Sequence, residues 1–488
     1  MAAQLSSSVS VLITITTLVV AAAGYPCFSG EGEVGSLPTP KGKELPPGVA
    51  SPSPWPTRQL AQLDVSPIVL PLGEGFNTSS DSVSSAGDVN GDGYGDVLVG
   101  QPGFHHFAGR AFLYLGGPQG LTTPADWTTA GQAPGGRYGL PATSAGDING
   151  DGYGDVVVGA SGHDGHRGQL SLYLGSPAGL SPTPAWTAAG TSPDGLFGAL
   201  VAAGDINGDG RGDLVAGAPG EVYSSGAIYL YLGTSSAPWL VYAARILGEP
   251  GRGRMYLGPH AVGDVNGDSY GDVCVYVYHP GVGEGGSDLA QLYSGEAGGL
   301  SATPTWTSPP GSGTHYQPNT CAVVGDVNGD SLGDVVVTDS GAEGRRGKID
   351  LYYGAVAGLS SSPGWTRVGG PTHYGWGGYL SRVGDLSGDG VADLLVGIPT
   401  FSPWEEPGGL YLFQGDPLQL SHDPSWVARV KVFVDGLTSV AEGVGDVNGD
   451  GYSDLVTSLD VSAGEVQIAL FLGPLPGFGG SYPGREAL

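Results

Sequence analysis

The chain has few basic residues, few cysteines and no long apolar segment. Its 488 residues include 18 Lys and Arg against 47 Asp and Glu, which gives a net charge of −29. Such a field repels nucleic acid and anionic membrane surfaces, so both are poor candidate partners. Cys27, Cys274 and Cys321 form no disulfide framework and lie at no zinc-ligand spacing. We expect Cys274 and Cys321 to be buried, unpaired side chains, with a disulfide between them as the alternative.

The apolar run near the N-terminus is short. Residues 11–20 are apolar apart from three threonines, and small residues follow at 21–24. The run is too short and too interrupted for a membrane span, and it is typical of an export signal with a small-residue cleavage region. We therefore predict a signal peptide at residues 1–24 and a secreted or cell-envelope protein, with Cys27 as an alternative site for a lipid anchor.

Glycine and proline are abundant, with 91 Gly and 38 Pro. Because 40% of the residues are hydrophobic, the chain can bury a core, and the glycines indicate tight turns between short strands. Eight prolines fall within residues 25–65, a composition typical of a semi-extended linker. We predict a Pro-rich linker at 25–65, one folded domain at 66–475 and a C-terminal tail at 476–488.

The folded part of the sequence repeats about every 60 residues. Each repeat carries the nine-residue pattern Asp-x-Asn/Ser-Gly-Asp-x-x-x-Asp. The seven copies begin at Asp88, Asp147, Asp205, Asp264, Asp326, Asp385 and Asp446. A small-residue run precedes each pattern, and an apolar run, a Gly-rich loop and two further strand-like segments follow it. Four short strands per unit at a fixed period predict the blades of a β-propeller.

The two ends of the chain predict how the ring closes. The seventh unit reaches its third strand at residues 466–473 and has no fourth strand of its own. Residues 67–73 form an unassigned apolar strand at the distance before Asp88 where the other units place their fourth strand. Sealing the last blade with this strand removes exposed sheet edges. The predicted fold is an all-β, seven-bladed propeller of four-stranded antiparallel blades.

The acidic loops have the chemistry of a hard-cation site. Oxygen side chains at positions 1, 3 and 5 of a tight turn point inward, position 7 offers a carbonyl and Asp at position 9 closes the shell. The pattern holds neither His nor Cys, which disfavours zinc and copper, and the strict geometry of magnesium favours calcium. Asn-Gly-Asp-Gly is also a common hairpin turn, but three carboxylates in each of seven loops repel one another without a cation. We predict up to seven Ca²⁺ ions, one per blade.

The predicted ligands occupy positions 1, 3, 5 and 9 of each loop. They are Asp88, Asn90, Asp92 and Asp96; Asp147, Asn149, Asp151 and Asp155; Asp205, Asn207, Asp209 and Asp213; Asp264, Asn266, Asp268 and Asp272; Asp326, Asn328, Asp330 and Asp334; Asp385, Ser387, Asp389 and Asp393; and Asp446, Asn448, Asp450 and Asp454. We rank three loops as weaker, because Ser269 and Ser331 replace the glycine at position 6 and Ser387 replaces asparagine.

Short motifs around the loops resemble the FG-GAP repeat of integrin α-subunit propellers. Leu196-Phe197-Gly198 precedes the third loop and Gly217-Ala218-Pro219 follows it, with looser copies such as Gly397-Ile398-Pro399. The resemblance implies calcium in the hairpin loops on one face and partner binding on the opposite face, where the 2–3 and 4–1 connections emerge. All seven units carry a loop and no thigh, transmembrane or inserted domain follows, so exported bacterial FG-GAP proteins are the closer expectation and integrin-type signalling is not expected.

The function is expected on the face opposite the calcium loops. Aromatic and Arg side chains are the usual anchors of binding surfaces. The candidates for partner contacts are Trp404, Tyr374, Phe104, Arg254 and Arg345. We predict a monomeric, non-enzymatic adhesion or binding module for an extracellular protein or glycan. The alternative is a secreted hydrolase or lyase that uses the same face.

Two motifs that suggest functions have structural interpretations. Arg211-Gly212-Asp213 matches an adhesive RGD sequence, but it occupies positions 7 to 9 of the third loop, where Asp213 is an expected calcium ligand. His163-Asp164-Gly165-His166 lies in a Gly-rich loop and is interpreted as a solvated turn.

Tyr138 and Trp376 are expected to fill the space between blades. The sequence contains no nucleophile elbow, zinc-protease signature or phosphate-binding loop.

Overall fold

The residues that the structure describes form seven four-stranded antiparallel sheets and one small hairpin. The structure is a computed structural model that describes residues 68–70, 82–248, 254–278, 288–312, 320–370, 375–398, 409–429, 441–462 and 465–473. Each sheet is one blade, and its strands follow one another in the chain from the centre of the ring outward. The seventh blade differs, because its outermost strand is β1 (Ile68–Leu70). The sequence-based prediction of a seven-bladed propeller is confirmed.

The strands of the first four blades come in chain order. They are β2 (Ser82–Gly87), β3 (Asp96–Gln101), β4 (Arg110–Tyr114) and β5 (Trp127–Ala130); β6 (Tyr138–Gly146), β7 (Asp155–Ala160), β8 (Gln169–Tyr173) and β9 (Trp186–Ala189); β10 (Leu200–Gly204), β11 (Asp213–Gly217), β12 (Ala227–Gly233) and β13 (Leu240–Leu247); and β14 (Arg254–Gly263), β15 (Asp272–Tyr278), β16 (Leu289–Tyr293) and β19 (Trp306–Thr307), with the hairpin β17 (Gly295–Glu296) and β18 (Gly299–Leu300) inserted.

The last three blades and the helices complete the fold. The strands are β20 (Cys321–Gly325), β21 (Asp334–Asp339), β22 (Lys348–Tyr352) and β23 (Trp365–Val368); β24 (Tyr379–Arg382), β25 (Leu394–Ile398), β26 (Gly409–Phe413) and β27 (Trp426–Arg429); and β28 (Ala441–Gly445), β29 (Asp454–Ser462) and β30 (Glu465–Phe471). Within the described residues, four one-turn helices join second to third strands: α1 (Phe104–Phe107), α2 (His163–His166), α3 (Glu221–Ser224) and α4 (Ala342–Arg345).

The ring is closed at its centre and at its rim. The innermost strands contact one another in the cyclic order β2, β6, β10, β14, β20, β24, β28 and again β2. At the rim, Ile68, Val69 and Leu70 pair antiparallel with Leu470, Ala469 and Ile468 of β30. This pairing joins the first described strand to the last one, as the sequence predicted, and it covers the outer edge of β30.

The hydrophobic core lies between blades. The second strand of a blade, such as β7 with its run of Val residues, is buried on both faces because a neighbouring blade covers each side. Seven buried clusters result, one at each junction, including the junction between blades 7 and 1. Tyr138 and Trp376 lie in these clusters, as predicted, with 7% and 0% of their surface exposed. Burying a side chain such as Trp376 stabilises the fold by about 3 kcal/mol.

Two cysteines connect neighbouring blades. Cys274 of β15 and Cys321 of β20 are fully buried, as expected, and their sulfurs form a disulfide with a Cα–Cα distance of 6.1 Å. The expectation of unpaired thiols was therefore wrong, and the alternative is correct. The two residues share one junction cluster, and this proximity across 47 residues of sequence comes from the stacking of blades 4 and 5.

One acidic residue lies among the innermost strands. Glu442 of β28 accepts a hydrogen bond from the backbone N–H of Ser85 in β2. Burial raises the pKa of the Glu442 carboxyl to about 8, while Ser85 and the charge of Arg382 in β24 oppose the increase. Glu442 therefore links the last blade to the first beside the central axis.

Candidate metal centres

Each blade turns from its first to its second strand through one nine-residue acidic loop, and the loop of blade 2 is representative. The first residue, Asp147, folds the loop around its carboxylate. Its Oδ1 accepts the N–H groups of Gly150 at 2.7 Å and Asp151 at 3.1 Å, and its Oδ2 accepts the N–H of Gly152 at 2.8 Å. Asp favours turns through such contacts with the amides that follow it. The side chain at position 1 thereby determines the path of the next five residues.

Positions 3 and 5 of this loop lie against each other. Asn149 Oδ1 accepts the N–H of Asp151 at 2.8 Å, and Asn149 Nδ2 donates to Asp151 Oδ2 at 2.9 Å. The second oxygen of Asp151 accepts the N–H of Tyr153 at 3.1 Å. The oxygen-bearing side chains at positions 1, 3 and 5 therefore belong to one compact, hydrogen-bonded turn.

Position 9 lies at the base of the loop and is fully buried. Asp155 Oδ2 accepts the N–H of Ile148 at 2.9 Å, and Oδ1 accepts the N–H of Gly175 beyond the third strand at 2.9 Å. The pKa of Asp155 is raised to about 7, mainly by burial and also by the charges of Asp151 and Asp147, while the two backbone donors oppose the increase. The carboxyl thus lies in a place where its negative charge is costly without a positive partner.

The other six loops share this arrangement at position 9. Every position-9 Asp has no exposed surface and accepts two equivalent backbone hydrogen bonds. Burial is the largest cause of a raised pKa in each case. The pKa is about 7 for Asp96, Asp334 and Asp393, and about 6 for Asp213, Asp272 and Asp454.

The oxygen donors fit calcium in type and number, but they are turned toward the loop's own amides. Across the described ranges, no three His, Cys, Asp or Glu side chains are gathered into a metal-holding group. In blade 2 both oxygens of Asp147 accept loop N–H groups, and the Asn149 amide nitrogen donates to Asp151. Coordination of an ion at positions 1, 3 and 5 requires these side chains to rotate away from the loop amides.

Three loops differ from the common pattern as the sequence indicated. Ser269 and Ser331 at position 6 have φ angles of 69° and 70°, in the left-handed region that favours glycine. Ser387 at position 3 donates its hydroxyl to Asp385 Oδ1 at 3.2 Å. The backbone strain expected at position 6 is therefore present.

The third loop has a feature that the sequence analysis missed. Arg211 Nη2 lies 2.5 Å from Asp209 Oδ2, so a side-chain cation already contacts the acid at position 5. The sequence signal for this contact is the Arg at position 7, which is also the first residue of the RGD sequence. Asp213 of that sequence has no exposed surface. Its carboxylate is therefore not accessible to an adhesion receptor.

The short helices lie on the opposite face, because they follow the second strands. Phe104 begins α1, and the Arg110 guanidinium stacks 3.8 Å from its ring centroid. His105, His106 and Phe107 all have positive φ angles, and Phe107 is 51% exposed. Phe104 therefore lies beneath Arg110. The exposed phenyl ring of this segment belongs to Phe107, which was not among the predicted partner residues.

The other predicted partner residues receive less structural support. Arg345 ends α4 with a φ angle of 75°. Arg254 begins β14, and Trp404 and Tyr374 lie outside the described residues. The structure does not describe these residues as one surface, so their joint role stays a prediction.

The His163–His166 segment forms α2, with exposed side chains in surface ion pairs. His166 Nδ1 lies 3.3 Å from Asp194, and Arg167 lies 3.2 Å from Asp164. These contacts agree with the interpretation as a solvated turn.

Buried carboxylates also occur near the opposite face, and each has hydrogen-bond donors. Glu221 accepts the Tyr229 hydroxyl at 2.7 Å and pairs with Arg245. Asp339 accepts the N–H and the hydroxyl of Ser312 at 2.6 and 2.7 Å. These contacts hold each carboxylate against neighbouring side chains and backbone.

Comparison with known proteins agrees with the fold and the repeats. The FG-GAP repeat family matches residues 81–114, 140–173 and 197–231, in blades 1 to 3. Mouse integrin alpha-IIb is 40% identical over 155 residues, covering 29% of this chain and 15% of the integrin. Integrin alpha-PS2 of Drosophila melanogaster is 34% identical over 181 residues, covering 33% and 12%.

A second kind of relative is an enzyme by name. Phosphatidylinositol-glycan-specific phospholipase D of Bos taurus is 35% identical over 151 residues, covering 28% of this chain and 18% of the enzyme. The chain therefore matches less than a fifth of the length of each of these three relatives. These matches do not test the expected similarity to exported bacterial proteins. None of the helices described is long and apolar enough to cross a membrane. The chain therefore contains FG-GAP repeats, is similar over part of its length to integrin α subunits, and folds as a seven-bladed β-propeller.

Proposed function

We propose that this protein is a secreted, calcium-binding propeller that presents the face opposite its acidic loops to an extracellular protein or glycan. The observation that carries the calcium proposal is the repeated position-9 carboxylate, which is fully buried in all seven loops. In blade 2 its electrostatic neighbours are the acids Asp147 and Asp151. A buried acid surrounded by further acids is stabilised by a bound cation, and Asp and Asn oxygens are the ligands that calcium prefers.

The residues at positions 1, 3, 5 and 9 of each loop would hold the ion, together with the carbonyl at position 7. Bound calcium supplies the positive charge that lets the carboxylates lie close together. We expect the third loop to bind more weakly than its sequence suggests, because Arg211 already contacts Asp209. The loops with Ser269 and Ser331 should also bind more weakly, because binding must hold these serines at a positive φ.

Calcium counting tests this proposal directly. Equilibrium dialysis of the intact protein should show several bound Ca²⁺ ions and at most seven. Asp151→Asn should remove one ion, because it takes away a charged oxygen ligand of the blade 2 loop. Asp194→Asn removes the same charge from an exposed site on the opposite face and should remove none. Absence of bound calcium at millimolar free concentration would contradict the proposal.

Export is proposed from the N-terminal sequence and supported by the disulfide. Disulfides persist in oxidising compartments and are rare in the cytosol, and Cys274 and Cys321 are bonded here. We propose cleavage after residue 24 and a linker at 25–65 that separates the propeller from the new N-terminus. N-terminal sequencing of protein recovered from the culture medium or the cell envelope tests both points. An intact Met1 on all of the protein would contradict cleavage.

The binding face is proposed to include α1 and its neighbours. Three consecutive non-glycine residues with positive φ cost free energy, and such strain is concentrated at functional sites. Phe107 is exposed at their end. Phe107→Ser should weaken retention on a glycan array or in a pull-down with native cell-surface proteins. Val356→Ser is the matched control, because Val356 is 84% exposed and lies in a 3–4 connection on the face of the acidic loops. Equal losses in both variants would contradict a specific face.

A hydrolase or lyase is the second candidate, because one group of relatives is named as phospholipases. Turnover of phosphodiester or polysaccharide substrates that is lost with Phe107→Ser and kept with Val356→Ser would support this alternative. Binding without turnover would support the adhesion module.

A further inference from the structure

The seven acidic loops are joined to one another by a complete circle of backbone hydrogen bonds. In every case the N–H at position 8 of one loop donates to the main-chain carbonyl of the position-1 Asp in the preceding blade. The bonds are Gly154 to Asp88 at 2.7 Å, Gly212 to Asp147 at 2.7 Å, Gly271 to Asp205 at 2.8 Å, Gly333 to Asp264 at 2.7 Å, Ala392 to Asp326 at 2.9 Å, Ser453 to Asp385 at 3.2 Å and Gly95 to Asp446 at 2.8 Å. The last of these bonds closes the circle from blade 1 to blade 7.

A second contact follows the same circle. The side chain at position 7 of each loop lies over the glycine at position 4 of the preceding loop. A Cβ added at that glycine would lie within 3.3 Å of the side chain in six pairs, whereas at Gly329 it would lie in ordinary contact with Val391 at 3.7 Å and nearer to Pro417. The covering pairs are Tyr153 on Gly91, Arg211 on Gly150, Tyr270 on Gly208, Leu332 on Gly267, Val391 on Gly329, Tyr452 on Gly388 and Tyr94 on Gly449. A Cβ on Gly91 would lie 2.6 Å from Tyr153 Cε1, so the ring lies directly against the backbone.

Both contacts reach the residue that organises the preceding loop. The N–H of Gly91 donates to Asp88 Oδ1 at 2.7 Å, and Tyr153 covers this glycine. Gly154 donates to the carbonyl of the same Asp88. The loop of blade 1 is thus held from inside by its own amides and from outside by two residues of blade 2.

We propose that each calcium site is shared by two blades, and that positions 7 and 8 of every loop are positioning residues for the ion in the preceding loop. This inference rests on the proposed calcium function. Tyr153 contributes only main-chain groups to its own loop, where its N–H donates to Asp151 and its carbonyl is the predicted ligand. Its side chain serves the loop of Asp88. The same relation repeats around the ring, so neighbouring sites are coupled.

The direction of this effect makes the proposal testable. Tyr153→Ala keeps every main-chain group of the blade 2 loop, but it uncovers Gly91, whose φ angle is 74°. Residues that orient metal ligands from outside the ligand set change affinity by about 10- to 100-fold. We expect Tyr153→Ala to weaken the binding of one calcium ion by about tenfold, and that ion is the one in blade 1.

The test combines Tyr153→Ala with variants that remove one site each. Calcium titration calorimetry of the intact protein is carried out in the wild type, in Asp92→Asn, which disables the blade 1 loop, and in Asp151→Asn, which disables the blade 2 loop. The weakening should disappear in the Asp92→Asn background and remain in the Asp151→Asn background. Tyr153→Phe, which keeps the ring, should restore wild-type affinity. Tyr242→Ala, at a side chain that is 55% exposed on β13, should change nothing.

Hydrogen exchange provides a second measurement that needs no site-removing variant. With calcium bound, Tyr153→Ala should speed exchange at the amides of residues 91–93 more than at those of residues 150–152. Faster exchange confined to residues 150–152 would overturn the proposal. In the calorimetric titrations, a loss of calcium affinity that disappears in the Asp151→Asn background would also overturn it. Equal calcium affinity in Tyr153→Ala and the wild type would overturn it as well. Failure of the wild type to bind calcium would overturn the proposed function itself.

Discussion

Chelation of calcium should lower the melting temperature of this propeller by about 20 °C. A ligand that binds only the folded state stabilises it by RT ln(1 + [L]/Kd), which is about 2.7 kcal/mol per site at about 100 times Kd. Seven equal sites then contribute about 19 kcal/mol. Unfolding of about 400 residues carries an entropy of about 0.8 kcal/mol per kelvin near the midpoint. The full set of ions therefore corresponds to a shift of about 20 °C, and one ion to about 3 °C.

Differential scanning calorimetry in excess chelator and in millimolar calcium measures this shift. Asp151→Asn should reduce the calcium-dependent shift by about one seventh, or about 3 °C. Asp194→Asn, with its side chain 83% exposed beside His166, is the charge-matched control and should keep the full shift. A melting temperature that is the same with chelator and with calcium would refute the reasoning, because the buried acids would then have no bound cation.

Three further predictions follow from the fold. Replacing both Cys274 and Cys321 with Ala should lower the free energy of unfolding by about 4 kcal/mol, the value for a closed loop of 47 residues; thermal unfolding that is unaffected by a reducing agent would contradict this. Ser269→Gly should raise the free energy of unfolding by about 0.5–1 kcal/mol in urea titrations, because the φ angle of 69° no longer carries a penalty; a loss of stability would show that the serine side chain contributes. Glu442→Gln should change how stability depends on pH. Burial raises the folded-state pKa of the Glu442 carboxyl from 4.5 to about 8. The wild type therefore takes up a proton when it folds at pH values between 4.5 and 8. Its stability relative to the variant should therefore fall as the pH rises from 4.5 to 8, and parallel melting curves across these pH values would contradict the assignment.

The parts of the fold that could be predicted from the sequence are those encoded within one repeat. The nine-residue pattern gave the number of blades, because every blade needs the same turn between its first two strands. A tryptophan also recurs in most repeats, and in the structure five outer strands begin at it: Trp127, Trp186, Trp306, Trp365 and Trp426. The predicted closing strand includes β1, which pairs with β30.

The contacts between blades could not be predicted in the same way. Tyr153 and Gly91 are separated by 62 positions, Gly154 and Asp88 by 66, and no periodic signal distinguishes a contact with the preceding blade from one within the same loop. The cysteine pairing failed for the same reason, since Cys274 and Cys321 approach only when two blades stack. The Arg211–Asp209 pair lies within one loop, but its formation depends on the rotamer of a long side chain.

The sequence by itself determined the blade number, the closing strand and the oxygen donors offered at each turn, because a short-period pattern of apolar, small and acidic residues specifies strands and turns locally. Only the tertiary structure decided that every position-9 Asp is buried without exposure and that each loop is held by its neighbour. Burial and neighbour contacts depend on the packing of blades around the ring, which brings together residues from successive repeats. The acidic loops are therefore local in sequence, while the candidate metal centres that they form depend on the whole ring.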